Sequence, residues 1–244
     1  MTPTEAVFAD GVGEEFDRLS PVFEGAIPWM YLDIKGLVTC AIGVLIDPLP
    51  LALPLPWVRA LDGTPASADE IRAEWALIKG SPSLATRGAG AARSLCNLRL
   101  TTDGVRQVTH AKAEAMARAL LVHFPAMVAW PPQARLALLL HVWAVGTDLP
   151  RTYPRMTAAL RAMDWQAAQA ECHISEAGNP GVAPRNRKIK ALFGELVEIA
   201  PTAPPDPTPT QPMTDGERDA ILALNDATTT TSLLDRMADF VRSR

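Results

Sequence analysis

Proline sets the limits on what this chain can fold into. Pro48, Pro50, Pro54 and Pro56 fall within nine residues, and six of the twelve residues from Pro201 to Pro212 are proline. Each proline fixes its own φ and removes a backbone donor, so neither stretch can run as a helix interior or a central strand. The first cluster is therefore a connecting segment leading into Trp57. The second, in APTAPPDPTPTQPM, reads as a stiff extended linker without a core. The residues before that linker must supply the globular part. With 48% hydrophobic and 20% charged residues in a 244-residue chain, they carry enough apolar surface for one medium domain. The expected organisation is a main domain over 1–199, a linker over 200–214 and a short helical extension over 215–244. In that extension, Asp215 to Asn225 and Ser232 to Arg242 show helical periodicity. It is too short to form much core alone, so it docks on the main domain or engages a partner.

Local signals divide the main domain into a small β part and a larger helical part. Asp33-Ile34-Lys35-Gly36 reads as a turn with glycine at a positive-φ position, followed by an alternating strand from Leu37 to Ile42. The period of two places Val38, Cys40 and Ile42 on one face and Leu37, Thr39 and Ala41 on the other. Ser20-Pro21 reads as an N-cap and first helical position, with Gly25 as a left-handed stop, so Glu24 closes a short helix. Ser67-Ala68-Asp69-Glu70 is a capping box that opens a helix through about Lys79. Gly80 to Arg93 is rich in glycine and serine and reads as a mobile loop. Thr102 caps a helix to Phe124, and Pro131-Pro132 starts an almost uniformly apolar helix through Val145, the expected buried spine. Tyr153 to Met163, Asp164 to Ser175 and Pro184 to Ile199 complete the bundle. The fold class is α+β, mostly α.

The residues most suited to chemistry are Glu24, Asp33 and Thr39. Two carboxylates on different backbone elements can serve as a proton donor and a group acting on the far side of a sugar, the arrangement that glycosidic cleavage needs. Glu24 sits at a helix carboxyl end, whose partial negative charge suits a proton donor. Asp33 sits at a hairpin corner, and the Thr39 hydroxyl on the return strand is placed to hold a water near it. A single Glu at a helix end is ordinarily a solvated charge, so the case rests on the three together.

The spacing E-x8-D-x5-T, with its D-x-x-G turn, resembles the active-site segment of the T-even phage-type lysozymes of glycoside hydrolase family 24. Asp164-Trp165-Gln166-Ala167-Ala168 is similar to that family's W-D-x-A-A helix start, and Gly181-Val182-Ala183-Pro184-Arg185 resembles its G-L-V-x-R segment. The similarity spans about residues 16 to 196. It implies a lysozyme-like fold, a small β-hairpin lobe and a larger helical lobe with the active-site cleft between them. It also implies a muramidase that cleaves the β-1,4 bond between N-acetylmuramic acid and N-acetylglucosamine in peptidoglycan. Glu24 then acts as the acid, Asp33 and Thr39 act on the water side with inversion at the anomeric carbon, and Arg185 orients Glu24. Arg187 takes that place if the register shifts by two. Two departures stand out: Val44 occupies the position of a family histidine, and Arg185-Asn186-Arg187-Lys188-Ile189 lacks the family's second adjacent arginine and following glutamate. A lytic transglycosylase using Glu24 alone, and a non-catalytic wall-binding or tail-associated module, are the competing readings.

Other chemistry fits poorly. His110, His123, His141 and His173 are widely spaced, with no H-E-x-x-H, so neither a metal nor another cofactor is expected. His141 lies within the apolar helix and reads as a core histidine. A net charge of −4 argues against nucleic acid as partner. The N-terminus lacks a basic start and an apolar core, so synthesis in the cytoplasm without a signal peptide is expected, followed by action on the bacterial cell wall. Asp47 and the neighbouring prolines argue against membrane insertion of the apolar Leu37 to Val58 stretch. The expected partners are peptidoglycan glycan strands, with an immunity or inhibitor protein and a delivery partner for the C-terminal extension as further classes. Phage lysin and injected antibacterial effector are the two roles this reading leaves, the acidic balance favouring the effector. Cys40, Cys96 and Cys172 form an odd set without metal-ligand spacing, and Cys40 reads as a small core residue.

Overall fold

A computed structural model describes residues 1–177 and 180–198. The proline-rich linker and the helical extension expected at 200–214 and 215–244 lie outside the described residues. The protein is a mostly helical α+β chain in which a small antiparallel sheet near the N-terminus is followed by a helical region. The described residues gather into two compact units, one of 24–112 and one of 1–23 with 113–198.

Two helices open the chain, α1 (Pro3–Phe8) and α2 (Val12–Glu24). Thr2 and Glu5 form a reciprocal capping box on α1. The helix ending at Glu24 is longer than its local signals imply, because Ser20-Pro21 does not start it. Val12, Phe16 and Leu19 form a buried stripe at helical spacing, and this holds the helix through Pro21 although that residue lacks an N–H. The Ser20 hydroxyl donates to the Phe16 carbonyl at 2.7 Å instead of capping.

In the unit of 24–112, β1 (Ile27–Leu32), β2 (Val38–Ala41) and β3 (Val44–Leu45) form an antiparallel sheet in that order. The turn at Asp33 is the expected hairpin, and the short strand β3 adds a second one. In β1 the alternation holds: Met30 and Leu32 are buried while Trp29 and Tyr31 are half-buried. In β2 it fails, and Val38, Thr39, Cys40 and Ala41 are all buried. As the middle strand β2 has a neighbour on each side, and α3 (Ala68–Lys79) packs against both β1 and β2. The capping box expected at Ser67 opens α3: the Ser67 backbone N–H donates to Glu70 Oε2 at 2.7 Å, and the Glu70 N–H returns to the Ser67 hydroxyl.

A second sheet, β4 (Trp57–Arg59) paired with β5 (Leu98–Leu100), has no counterpart in the sequence expectation. The stretch from Gly80 to Arg93, expected as a mobile loop, forms two 3-10 turns, Pro82–Thr86 and Ala89–Leu95, both packed on β1. Side chains tie this unit together through backbone atoms. Asp47 Oδ2 accepts from the Val38 N–H at 3.1 Å and from Lys79 Nζ at 2.6 Å, which joins the start of β2 to the end of α3. Cys40, fully buried, is the core residue its alternation suggested, and Cys40, Cys96 and Cys172 are all free thiols.

The helix α4 (Thr102–His123) belongs to the first unit through Lys112 and to the second from Ala113. Its cap is Thr101, one residue before the expected Thr102: the Thr101 hydroxyl accepts from the Gly104 N–H at 3.0 Å. In the helical unit, α5 (Pro132–Val145) is the spine its composition implied, every residue from Ala134 to Trp143 being buried. Three shorter helices follow, α6 (Leu149–Thr152), α7 (Pro154–Arg161) and α8 (Trp165–Glu171), and then the longer α9 (Ala183–Glu198), which lies along α5 and α8. Aromatic rings line this core in sequence: Phe124 on Trp130, Trp130 on Trp165 and Trp165 stacked on Phe193, at 5.6, 5.5 and 6.3 Å between centroids. Arg135, buried on α5, donates to the Ala6 carbonyl and to Asp10, and so fastens the segment joining α1 and α2.

Candidate active site

Glu24 is the last residue of α2, and Gly25 follows it at φ 73, the left-handed conformation that a side chain disfavours and that turns the chain out of a helix. The glutamate is exposed, and β1 begins three residues later. The helix end and the following strand therefore place its carboxyl at a surface corner, as the sequence implied.

Asp33 is held by the turn it builds. Its Oδ1 accepts from the Lys35 N–H at 2.8 Å and from the Leu37 N–H at 2.9 Å, while its backbone N–H donates to the Leu37 carbonyl and its carbonyl accepts from Gly36. Gly36 stands at φ 72, where a positive φ is required. This is an Asx-type turn closing the β1–β2 hairpin. One carboxyl oxygen is committed to the backbone, and Oδ2 takes none of these bonds. Asp33 itself is half-buried.

Thr39 lies in the middle strand, paired with Tyr31 of β1 on one side and Leu45 of β3 on the other. It is 5% exposed, and its hydroxyl donates to the Leu37 carbonyl at 3.2 Å. The expected open face is thus more enclosed than simple alternation suggests. The turn from β2 to β3 is held from outside by Lys112, whose Nζ donates to the Gly43 carbonyl at 2.7 Å. Val44, the position of the departure from the family pattern, is 3% exposed opposite Cys40, so an apolar side chain fits it.

Between the two carboxylates in sequence lies Tyr31. Burial pushes its phenol up to about 12, and the charges of Cys40, Glu24 and Asp33 push it the same way. Glu24, from a helix end, and Asp33, from a hairpin turn, are both among the groups that raise this phenol. The sequence reading passed over Tyr31. The signal was available in Trp29-Met30-Tyr31-Leu32, whose period of two sets Tyr31 opposite the buried Met30 and Leu32, between the two acids.

Arg185 lies in α9, 4% exposed, with its guanidinium 5.4 Å from the centroid of the Phe23 ring. Phe23 immediately precedes Glu24 in the chain. Arg187, the alternative register, is exposed and lines a pocket of about 350 Å³ with His173, Glu176, Asn186 and Lys190. A larger pocket of about 500 Å³ in the 24–112 unit is walled by Leu61, Leu77, Leu95 and Leu98 and includes none of Glu24, Asp33 and Thr39. His141 is fully buried in α5 and edge-on to the Tyr153 ring at 4.6 Å. Burial carries its imidazole down to about 4, with the Cys172 backbone opposing and Arg185 adding to the fall. Among the described residues no three His, Cys, Asp or Glu side chains cluster as a metal site, and no helix is long and apolar enough to cross a membrane.

Comparison with protein-family models, with curated proteins and with solved structures returned no match.

Proposed function

We propose that this chain is a lysozyme-like peptidoglycan hydrolase, a muramidase acting on the β-1,4 bond between N-acetylmuramic acid and N-acetylglucosamine. The observation that supports the reading is that Glu24 ends a helix and Asp33 closes a hairpin turn, its Oδ1 held by two backbone amides and its Oδ2 taking neither of those bonds. Glu24, exposed at its corner, gives its proton to the leaving glycosidic oxygen as the bond to the anomeric carbon breaks. Asp33 presents Oδ2 to a water and takes its proton as the water oxygen bonds to that carbon, with Thr39 helping to position the water. Because Oδ1 is anchored by two backbone amides, Oδ2 has a fixed direction. A base held in this way loses little orientational freedom on reaching the reactive geometry. Arg185 is the proposed orienting cation. The reaction serves bacterial wall lysis, as a phage lysin or an injected effector, with glycan strands as substrate.

Digestion of purified sacculi by the wild type and by Glu24→Gln, followed by mass spectrometry of the product ends, tests this. Reducing muramic ends from the wild type, with a loss of at least about a hundredfold in the variant, are expected for a general acid. Anhydro ends would replace the hydrolase with a lytic transglycosylase, and no release by the wild type would leave a binding module. Full activity in Glu24→Gln would remove the assignment of the acid.

A further inference from the structure

We propose that the Tyr31 hydroxyl is a further catalytic group of this site, holding the attacking water together with Asp33; this rests on the hydrolase reading above. Three observations place it there. Tyr31 and Thr39 are directly paired across the β1–β2 ladder, so their side chains stand side by side on one face of the sheet. Thr39 is 5% exposed and spends its hydroxyl proton on the Leu37 carbonyl. Tyr31 is half-buried, and its hydroxyl forms no hydrogen bond with any described residue. The open hydroxyl on this face is therefore the phenol.

The groups that act on it are Glu24 from the end of α2, Asp33 from the turn and Cys40 from β2. Burial and the two carboxylates disfavour a phenolate, so the group stays a neutral O–H at any pH at which the enzyme works, able to donate one hydrogen bond and accept another. A water between Tyr31 and Asp33 gives one hydrogen to Asp33 Oδ2 and the other to the phenol oxygen, which turns a lone pair toward the anomeric carbon. As the water oxygen bonds to that carbon, its first proton passes to Asp33 and the Glu24 proton passes to the departing oxygen. Tyr31 keeps its proton throughout. Its contribution is orientation, which is worth up to about a hundredfold when a reacting atom is misplaced by an ångström.

The test is Tyr31→Phe, which removes the hydroxyl and keeps the ring. With soluble muropeptide chains as substrate, kcat is expected to fall about ten- to hundredfold while KM stays within about twofold. Melting is expected within about 2 °C of the wild type, because the hydroxyl bonds to no described residue. A wild-type kcat in Tyr31→Phe would overturn the proposal and leave the hydrolase reading standing. A large fall in melting temperature would overturn it too, by showing that the hydroxyl serves the fold. If KM rose while kcat held, Tyr31 would be a binding contact and not a water-holding one. If the wild type released no reducing ends, the underlying reading would fail first and the proposal with it.

Discussion

Glu74 is a buried carboxylate that holds two backbone amides. It lies in α3 at 6% exposure, and its Oε2 accepts from the Asn97 N–H at 2.6 Å and the Leu98 N–H at 2.9 Å. It thereby fastens the helix to the first residues of β5 and so to the second sheet. Glu74→Ala leaves both amides without an acceptor, at about 1–3 kcal/mol for the buried Leu98 donor and a smaller cost at Asn97, which is exposed to water. Part of that is recovered, because burial pushes the Glu74 carboxyl above the ordinary carboxylate range, which means the ionised side chain is itself held at a cost. A net loss of about 1–2 kcal/mol is expected, or roughly 2–8 °C in melting temperature for a chain of this size. Glu74→Gln separates the two effects, since an amide oxygen can accept the same two N–H groups without charge. A carboxyl whose pKa is raised in the folded state holds its proton more tightly folded than unfolded. Its contribution to stability therefore falls as pH climbs from the unfolded carboxylate range, about 4.3, through the folded value. Urea unfolding at pH 4 and pH 7 should show the glutamine variant holding or gaining stability at pH 7, and the alanine variant losing it at both. Alanine within about 0.5 kcal/mol of wild type, or glutamine as damaging as alanine, would refute the reasoning.

Three further outcomes follow from the same structure. Asp33→Asn keeps an acceptor for the Lys35 and Leu37 amides, so its melting temperature should stay near wild type while hydrolysis of sacculi is lost; Asp33→Ala should lose both activity and about 1 kcal/mol, measured by urea unfolding. His141 is held neutral in the fold, its folded value near 4 lying below the unfolded value, so its contribution is present above about 6.5 and is lost as pH falls toward 4. A His141→Leu variant should show a shallower acid loss of stability, the difference approaching about 1.4 kcal/mol per pH unit at its steepest. Leu138→Ala, at a fully buried position in α5, should cost about 2–5 kcal/mol in chemical denaturation, with the far-ultraviolet dichroism of the folded protein unchanged.

What was legible in the sequence depended on whether the cause was local. The Ser67 box, the Pro131-Pro132 start and the Asp33 turn each close within four residues, and each formed as read. Ser20-Pro21 carries an equally local signal, but the buried stripe of Val12, Phe16 and Leu19 began eight residues earlier and outweighed it. The pairing of β4 with β5 joins segments about forty residues apart, and the acceptor that anchors it, Glu74, looks in sequence like any other charged helix residue. The enclosure of Thr39 was hidden for a related reason. Alternation predicts one covered face for a two-stranded hairpin, and the two residues of β3 turned β2 into a middle strand.

That last change bears directly on the proposed chemistry. In a two-stranded hairpin Thr39 would be the exposed hydroxyl beside Asp33, and Tyr31 a flanking ring. With β3 in place the threonine is enclosed, and its cross-strand partner carries the open hydroxyl. The two carboxylates are set independently of this exchange, Glu24 by the end of α2 and Gly25, Asp33 by two backbone amides. Neither depends on the other for its position, so substitutions that preserve shape at either should leave the fold intact and remove only the chemistry. The same independence makes the phenol the informative group. It is the cross-strand partner of Thr39 and stands two residues before Asp33, and a loss of rate in Tyr31→Phe without a loss of stability would tie it to the chemistry and not to the fold.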